Sequence, residues 1–281
     1  MAIGDSTRIN TNIGALNALS SLKSINKSLE RSQLKLATGS RINEVSDDPA
    51  GFVISRKLSA RVRGLGAALD NVGTAKNLLA IAEGGLENIS EILITMKEKV
   101  TQAASDSLSS SERNAISTEL NQLVSEISNI VEETSFNNVA LLDGTYTGKS
   151  FQTGAGTTNT FSLSLSLAVT PTGLSVTSSD VSSRVFTATG ASSALASVDA
   201  AIETVSDQMQ QVGSNVSRLS IKESTLSIAI TNNEAAKARI SDADFAKEQL
   251  ESTRLLILQQ TSTAQLAQAN ITPQNVLALF V

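Results

Sequence analysis

The chain has 281 residues, a formal net charge of −5 and only 3% aromatic residues, with no histidine, cysteine or tryptophan. This composition excludes catalytic triads with a histidine base, cysteine nucleophiles, disulfides, and zinc sites built from thiolates or imidazoles. The 22 Lys and Arg residues are dispersed and few aromatic rings accompany them, which argues against nucleic acid as a partner.

The N-terminus offers no sign of targeting or membrane insertion. Residues 1–8 lack the apolar core of a secretory signal peptide. No run of about 18 uncharged apolar residues exists, so no transmembrane helix is expected. Taken alone, these features predict a cytoplasmic protein.

Residues 12–37 form the first predicted helix. Its apolar residues lie roughly on one face: Leu16, Leu19, Leu22, Ile25, Leu29 and Leu36. This face is too narrow to stabilise the helix in isolation, so it needs a partner.

Two long helical stripes follow, with apolar residues at alternating spacings of four and three. The first stripe comprises Ala82, Leu86, Ile89, Leu93, Met96 and Val100, and the second Ile116, Leu120, Leu123, Ile127 and Ile130. A 3.5-residue period is typical of a left-handed coiled coil. The polar stretch 105–111 predicts a tight turn between them, with a helix start near Ser111.

The middle of the chain, residues 136–192, is rich in Ser, Thr and Gly and predicts short strands. Apolar residues alternate strictly with polar or small ones at Phe161, Leu163, Leu165, Leu167 and Val169, as in a half-buried strand. A turn at 171–173 and a second strand run containing Leu174 and Val176 are expected next. The segment is large enough for hairpins but hardly for an independent domain.

The third helical stripe repeats the coiled-coil spacing after this middle segment. It comprises Val198, Ile202, Val205, Met209, Val212, Val216 and Leu219, and resumes at Leu226 and Ile230. The three stripes are expected to pack together, with a core that includes Leu86, Ile89, Leu93, Met96, Leu120, Leu123, Ile127, Val205, Met209, Val212 and Val216. The fold class is therefore mainly α: long antiparallel helices from both chain ends in a coiled-coil bundle, with a small β-hairpin-rich central segment.

The C-terminal end predicts a second weakly amphipathic helix. Its apolar residues include Leu250, Leu255, Leu256, Leu258, Leu266, Ala269, Val276 and Leu277. We expect both chain ends to be disordered in the monomer and to fold on assembly, either with each other or with another copy. The self-assembly residues are predicted to be Leu16, Leu19, Leu22, Ile25, Leu29, Leu255, Leu258, Leu266, Val276 and Leu277.

Two long motifs at opposite ends resemble the signatures of bacterial flagellins. The first is LATGSRINEVSDDPAGFVIS at 36–55, preceded by INTN at 9–12; the second comprises RISDADFAKE at 239–248, ILQQ at 257–260, LAQAN at 266–270 and PQNVL at 273–277. The likeness covers roughly residues 8–145 and 195–281. It implies a secreted, non-enzymatic structural subunit of the extracellular flagellar filament, without cofactors.

The resemblance also implies a division of the chain. Residues 1–45 with 240–281 correspond to the coiled coil of the filament's inner tube, 46–145 with 195–239 to a helical-bundle domain, and 146–194 to a short variable β-rich segment without a large outer domain. Flagellins leave the cell unfolded through the flagellar type III pathway, which explains the missing signal peptide. The implied partners are other copies of the chain, an export chaperone, and cap and hook-associated proteins.

One functional pattern of the family is incomplete here. Many flagellins bind the animal receptor Toll-like receptor 5 through a helical motif with an arginine and a leucine. The matching positions are Thr95 and Lys99, which depart from the pattern, whereas Glu119 matches a further contact position. Loss of a guanidinium and an apolar anchor predicts weak or no receptor activation.

Three other functions share some of these features. A hook–filament junction protein shares the terminal helices, although the C-terminal motifs favour the filament subunit. A flagellin with an inserted metalloprotease would need a His-Glu-x-x-His motif, which the chain lacks. A coiled-coil adaptor would explain the stripes but not the paired signatures.

The acidic pairs at 47–48 and 242–244 superficially resemble acid–base or cation sites. Asp48 before Pro49 suits a helix start, a subunit contact or both, and Asp244 suits a helix cap.

Overall fold

The computed structural model describes residues 11–165 and 168–277, with residues 272–277 described by their backbone alone. The chain forms two compact units, one of Met1–Ala60 and Asn232–Val281 and the other of Arg61–Thr231. The elements in chain order are α1 Ile13–Thr38, α2 Pro49–Ala103, α3 Ser110–Glu133, β1 Ser135–Phe136, β2 Val139–Ala140, β3 Lys149–Gln152, β4 Thr160–Leu163, α4 Ala188–Ser241 and α5 Phe245–Leu277. The predicted mainly α fold with small antiparallel strand pairs is confirmed.

Side-chain caps fix where the helices begin. Asp48 accepts a hydrogen bond from the Gly51 N–H at 2.9 Å, directly before the first helical residue of α2, so the cap predicted there is confirmed. Asp244 likewise accepts from the amide of Ala246 at 3.0 Å at the start of α5. Helix α3 begins at Ser110, one residue before the predicted Ser111, because Ser109 is the N-cap and forms a capping box with Glu112.

The unit of residues 61–231 has a continuous apolar core built by α2, α3, α4 and the segment between α3 and α4. The three predicted stripes lie in this core. Fully buried members are Leu86, Ile89, Leu93, Met96, Leu120, Ile127, Val205 and Val212, whereas Leu123, Met209 and Val216 are half-buried against them. Helices α2 and α4 run antiparallel, since Lys76 pairs with Glu223 and Lys97 with Asp199.

The middle segment contributes more to this core than its composition suggested. Strands β3 and β4 pair antiparallel, with Phe151 opposite Phe161. Phe161, Leu163 and Leu165 are buried and Ser162 and Ser164 exposed, as the alternation predicted, although strand pairing ends at Leu163. The predicted strand member Leu167 lies outside the described residues.

The expected second strand run at Leu174 and Val176 is wrong. Residues 170–187 form consecutive turns, in which the Leu174 N–H donates to the Thr170 carbonyl and the Val176 N–H to the Pro171 carbonyl. Both apolar side chains are buried nonetheless. Burial at alternate positions arises here from turns closed by local hydrogen bonds, which periodicity alone does not distinguish from a strand.

The described residues contain no helix with both the length and the apolarity needed to cross a membrane.

Candidate assembly surface

Helices α1 and α5 pack as an antiparallel pair within the unit of residues 1–60 and 232–281. The Asn12 amide donates to the Ala269 carbonyl at 2.7 Å near one end of the pair. Ser32 donates to the Glu248 carbonyl at 3.2 Å near the other end. These two bonds fix the direction and the register of the pair.

The seam between the two helices is unusually polar. On α5 the residues that face α1 recur at spacings of four and three: Glu248, Ser252, Leu255, Gln259, Ser262, Leu266 and Ala269. Only two of these seven are leucines. The Gln259 amide donates to Asn26 Oδ1 at 2.8 Å, and Lys35 Nζ lies 3.5 Å from a Glu248 carboxylate oxygen. Polar residues at coiled-coil core positions specify register at a cost in stability, so this helix pair has a defined register but low stability.

Large apolar side chains point away from the seam on both helices. Leu16 is 55% exposed, Leu250 74% and Ile257 59%. The full exposed set is Ile13, Leu16, Leu19 and Leu34 on α1, with Phe245, Leu250, Leu256, Ile257, Leu258 and Ile271 on α5. We call these ten residues the outer apolar set. Exposed large apolar side chains in this number are typical of an interaction surface.

The predicted self-assembly residues fall into two groups. Leu29 and Leu255 are buried in the seam, and Leu22, Ile25 and Leu266 are half-buried. Leu16, Leu19 and Leu258 belong to the outer apolar set. The side chains of Val276 and Leu277 lie outside the described residues.

Sequence reasoning missed the polar half of the seam and the exposed Ile13 and Ile257. The regular spacing of four and three from Glu248 to Ala269 was the available signal. It was hidden because most residues at those positions are Ser, Gln, Glu or Ala, whereas the more apolar positions of α5 lie outside the seam.

The segment that follows α1 is joined to the C-terminal end of α4 by one backbone bond and one side-chain bond. The Arg41 N–H donates to the Ser241 carbonyl at 2.7 Å, and Arg41 Nη2 donates to the Ile240 carbonyl at 2.7 Å. Helix α1 ends at Thr38 and is capped by Gly39, whose φ of +66° is strained for any residue with a Cβ. The Phe245 ring lies directly beside Gly39.

The acidic turn after α1 is held by its own amides. Asp47 accepts from the N–H groups of Asn43 and Glu44, each at 3.1 Å. These bonds lower the pKa of Asp47, with the amide of Glu44 the largest cause and the positive charges of Lys35 and Arg31 adding to it. The carboxylate therefore has a structural role in the turn.

Glu119, at the position that matches the immune-receptor contact, forms an ion pair within the chain. Lys99 Nζ lies 2.6 Å from Glu119 Oε1, and Thr95 donates its hydroxyl to the Glu91 carbonyl at 3.1 Å. The Glu119 carboxylate is thus ion-paired with Lys99 of the same chain.

The fold and the surface together define the class of the protein. It is a mainly helical protein whose helices α1 and α5 pair through a polar seam and leave large apolar side chains exposed.

Known proteins of this kind match the chain over most of its length. Models of the bacterial flagellin N-terminal and C-terminal helical regions match residues 9–147 and 195–280. The flagellin of Bacillus subtilis (strain 168) is 36% identical over 302 residues, covering 97% of this chain and 99% of that protein. The flagellin of Halalkalibacterium halodurans is 36% identical over 275 residues, with the same coverage of both chains. A crystal structure of Bacillus cereus flagellin covers 56% of this chain and 88% of that chain, at 25% identity and a TM-score of 0.49.

The chain belongs to the bacterial flagellin family, a family of structural proteins of the flagellar filament. The resemblance seen in its two terminal motifs is confirmed.

Proposed function

We propose that the chain polymerises into the extracellular flagellar filament that drives bacterial swimming. The observation that carries this proposal is the outer apolar set on α1 and α5. In the part of the chain that the structure describes, these side chains are exposed to solvent, and a second copy of the same chain supplies the same kind of surface.

The energetics favour many shallow contacts over one deep one. Full burial of a Leu or Ile side chain stabilises by about 1.5–3 kcal/mol, whereas association costs about 4–15 kcal/mol in lost freedom of motion. Burial of only a few of the ten residues at one contact therefore stabilises association marginally at best. A helical polymer gives each copy several neighbours, so the contributions add along an open assembly.

The polar seam supports a second part of the proposal. The α1–α5 pair is held by bonds such as Gln259 to Asn26 and has little buried apolar surface. Such helices are marginal in water, so the terminal pair is unfolded in the free monomer and orders on assembly. The chain has no cysteine that could cross-link it, which suits unfolded export through the flagellar type III pathway.

The terminal helix pair and the helical bundle differ in stability, and this difference assigns them different roles in the filament. Residues 1–45 with 240–281 form the inner tube, 46–145 with 195–239 form the helical bundle that folds alone, and 146–194 remain a short variable segment. The chain's further partners are an export chaperone and the cap and hook-associated proteins.

Serine substitutions on the outer apolar set test the proposal. A variant with Leu16, Leu19 and Leu258 changed to serine keeps its seam and is expected to lose polymerisation by at least about tenfold. The matched control is Val139→Ser, which removes an exposed apolar side chain from strand β2 of the other unit. Sedimentation of purified protein seeded with filament fragments measures the polymerised fraction.

Electron microscopy of the same samples separates the two related functions. Long filaments from the wild-type chain alone support a filament subunit, whereas a hook–filament junction protein makes none by itself. Unchanged polymerisation of the triple variant would show that the outer apolar set is not the assembly surface.

A further inference from the structure

The segment between α1 and α2 is joined by an antiparallel bridge to the segment between α4 and α5. The bridge partners are Ser40 and Asp242. Backbone hydrogen bonds of 2.7 and 2.9 Å flank the bridge on its two sides, from Arg41 to Ser241 and from Ala243 to Gly39. We call residues 39–42 and 240–243 the clip. It holds the two chain ends together at the positions where α1 ends and α5 is about to begin.

Arg41 is the central side chain of the clip. Its Nη2 donates to the Ile240 carbonyl at 2.7 Å, and its Nε donates to the same carbonyl at 3.2 Å. This carbonyl belongs to the last turn of α4, where backbone acceptors lack helical partners and a positive charge is favourable. Arg41 Nη2 also lies 3.6 Å from Asp48 Oδ2, directly before α2. One guanidinium thus ties the end of α4 to the start of α2.

An apolar contact anchors the clip on α2 as well. Ile42 is buried, and a Cβ at position 51 would lie 2.7 Å from Ile42 Cδ1. Ile42 therefore packs directly on Gly51 in the first turn of α2. Asp47 closes the turn between them by accepting from two backbone N–H groups. These anchoring contacts involve α2 and α4, and none of them requires α1 or α5 to be folded.

The clip shares its register with the whole terminal helix pair. Asn12, near the start of α1, donates to the carbonyl of Ala269 on α5. Asn12 lies 28 residues before Ser40, and Ala269 lies 27 residues after Asp242. A bridge at Ser40 and Asp242 therefore already aligns α1 and α5 as they are aligned at the far end of the pair.

The seam defines the register of α1 and α5 but not which copy supplies each helix. Bonds such as Gln259 to Asn26 form equally well when the two helices come from different copies. Exchange of identical elements between copies is a low-cost alternative to pairing within one copy. Selection of the partner helix therefore has to come from a feature outside the seam.

The clip provides such a feature, because it brings the two ends of one copy together before they fold. Helix α1 ends at residue 38 and α5 begins at residue 245, so each helix directly adjoins the clip. Segments held by so short a connection meet at an effective concentration on the order of millimolar, without any new contact in the seam. Pairing within one copy is favoured as long as the clip is closed.

We propose that the clip closes first and that α1 and α5 then fold together outward from it within one copy, with Arg41 as the positioning residue. The inference rests on the proposed function, because it assumes that the terminal pair is unfolded in the free monomer and orders on assembly. It adds the order of these events and the residue that selects the partner helix.

Cross-linking in filaments of the full-length chain measures which copy supplies each helix. The chain has no cysteine, so Asn26→Cys with Gln259→Cys introduces its only two thiols, at residues that bond to each other across the seam. A short bismaleimide joins the thiols, and a denaturing gel separates cross-linked monomers from cross-linked dimers. Monomers report pairing within one copy, and dimers report pairing between copies.

Substitutions of Arg41 in this cysteine background test its role. Arg41→Ala is expected to raise the ratio of dimers to monomers by at least about threefold, because the two ends of one copy are no longer held together. Arg41→Lys keeps the charge but not the fork of donors, and its ratio is expected to lie between those of Arg41→Ala and the parent. An unchanged ratio for Arg41→Ala, even with slower assembly, would overturn the inference.

The matched control removes a positive charge from the same end of α4. Arg239 lies in the last turn of α4, is exposed and is not part of the clip. Arg239→Ala is therefore expected to leave the ratio of dimers to monomers as in the parent. A rise equal to that of Arg41→Ala would assign the effect to charge at the helix end and overturn the inference.

If Arg41→Ala elongates too slowly for cross-linking, a disulfide across the clip replaces that measurement. Ser40 and Asp242 form a non-hydrogen-bonded antiparallel pair, in which the Cα atoms lie about 4.5 Å apart, within the span of a disulfide. Arg41→Ala with Ser40→Cys and Asp242→Cys is expected to elongate from wild-type seeds at least about tenfold faster when oxidised than when reduced. Equal elongation in both states would overturn the inference, whereas wild type that forms no filaments would refute the proposed function.

Discussion

Arg113 is a buried cation whose removal should destabilise the helical bundle strongly. It is 6% exposed and lies in the first turn of α3. Its guanidinium donates to the carbonyls of Ala103, of Ser105 at 2.7 Å and of Val185 at 3.3 Å. One side chain thus caps the C-terminal end of α2 and holds the turn segment that precedes α4.

The size of the effect follows from the groups left behind. A hydrogen bond from a charged donor contributes about 1.5–3 kcal/mol, and Arg113→Ala leaves the carbonyls of Ala103 and Val185 without this donor. Relief of the cost of burying a charge offsets part of the loss. We expect the free energy of unfolding to fall by about 3–4 kcal/mol. Arg113→Lys keeps the charge but not the fork of donors, and should lose about half as much.

Tyrosine fluorescence measures this unit selectively. Tyr146 is the only tyrosine in a chain without tryptophan, and it is buried in the core of the unit of residues 61–231. Urea unfolding followed at Tyr146 gives the free energy for each variant. Lys222→Ala, at an exposed position of α4, is the control and should change it by less than about 0.5 kcal/mol. A loss below about 1 kcal/mol for Arg113→Ala would refute the capping role.

Three further predictions concern single groups. Gln208 in α4 is 2% exposed, and its amide nitrogen has no hydrogen-bond partner in the described part of the chain. Gln208→Leu removes this unsatisfied buried group and should therefore raise the free energy of unfolding by about 1–2 kcal/mol. The exposed Gln211→Leu is its control, and an unchanged or lower value for Gln208→Leu would contradict the expectation. Purified monomer should activate Toll-like receptor 5 weakly or not at all in a reporter-cell assay, because Thr95 and Lys99 replace the arginine and the leucine; a full response at nanomolar concentration would show otherwise. Because the pKa of Asp47 is lowered, its carboxylate stabilises the turn at pH values above the ordinary carboxyl pKa, and this stabilisation is lost as pH falls through the lowered pKa. A carboxyl NMR titration should therefore give Asp47 a midpoint below that of a free aspartate.

The sequence predicted the bundle well because its apolar residues repeat with one period over many turns. Leu86, Ile89, Leu93 and Met96 are all fully buried, as a coiled-coil stripe requires. The helix starts at 49 and 245 were also predictable, since an aspartate before the first turn satisfies free backbone N–H groups.

The parts that sequence reasoning missed depend on tertiary context. Arg113 becomes a core residue because the carbonyls of Ala103, at the end of α2, and Ser105, in the turn before α3, converge on it with the carbonyl of Val185 from a distant segment. The buried turns around Leu174 and Val176 share the spacing of a strand but take their shape from local hydrogen bonds. In α1 and α5, the positions of the apolar residues do not show which side chains face the partner helix. The seam is built largely from polar side chains such as Ser252 and Gln259.

A cryo-EM reconstruction of filaments grown from the purified full-length chain tests the central claim most directly. The account predicts helical filaments in which Leu16, Leu19 and Leu258 are buried against neighbouring copies while the seam through Leu29 and Leu255 stays within each copy. Filaments in which these three outer leucines remain exposed to solvent, or a chain that forms no filaments, would contradict it.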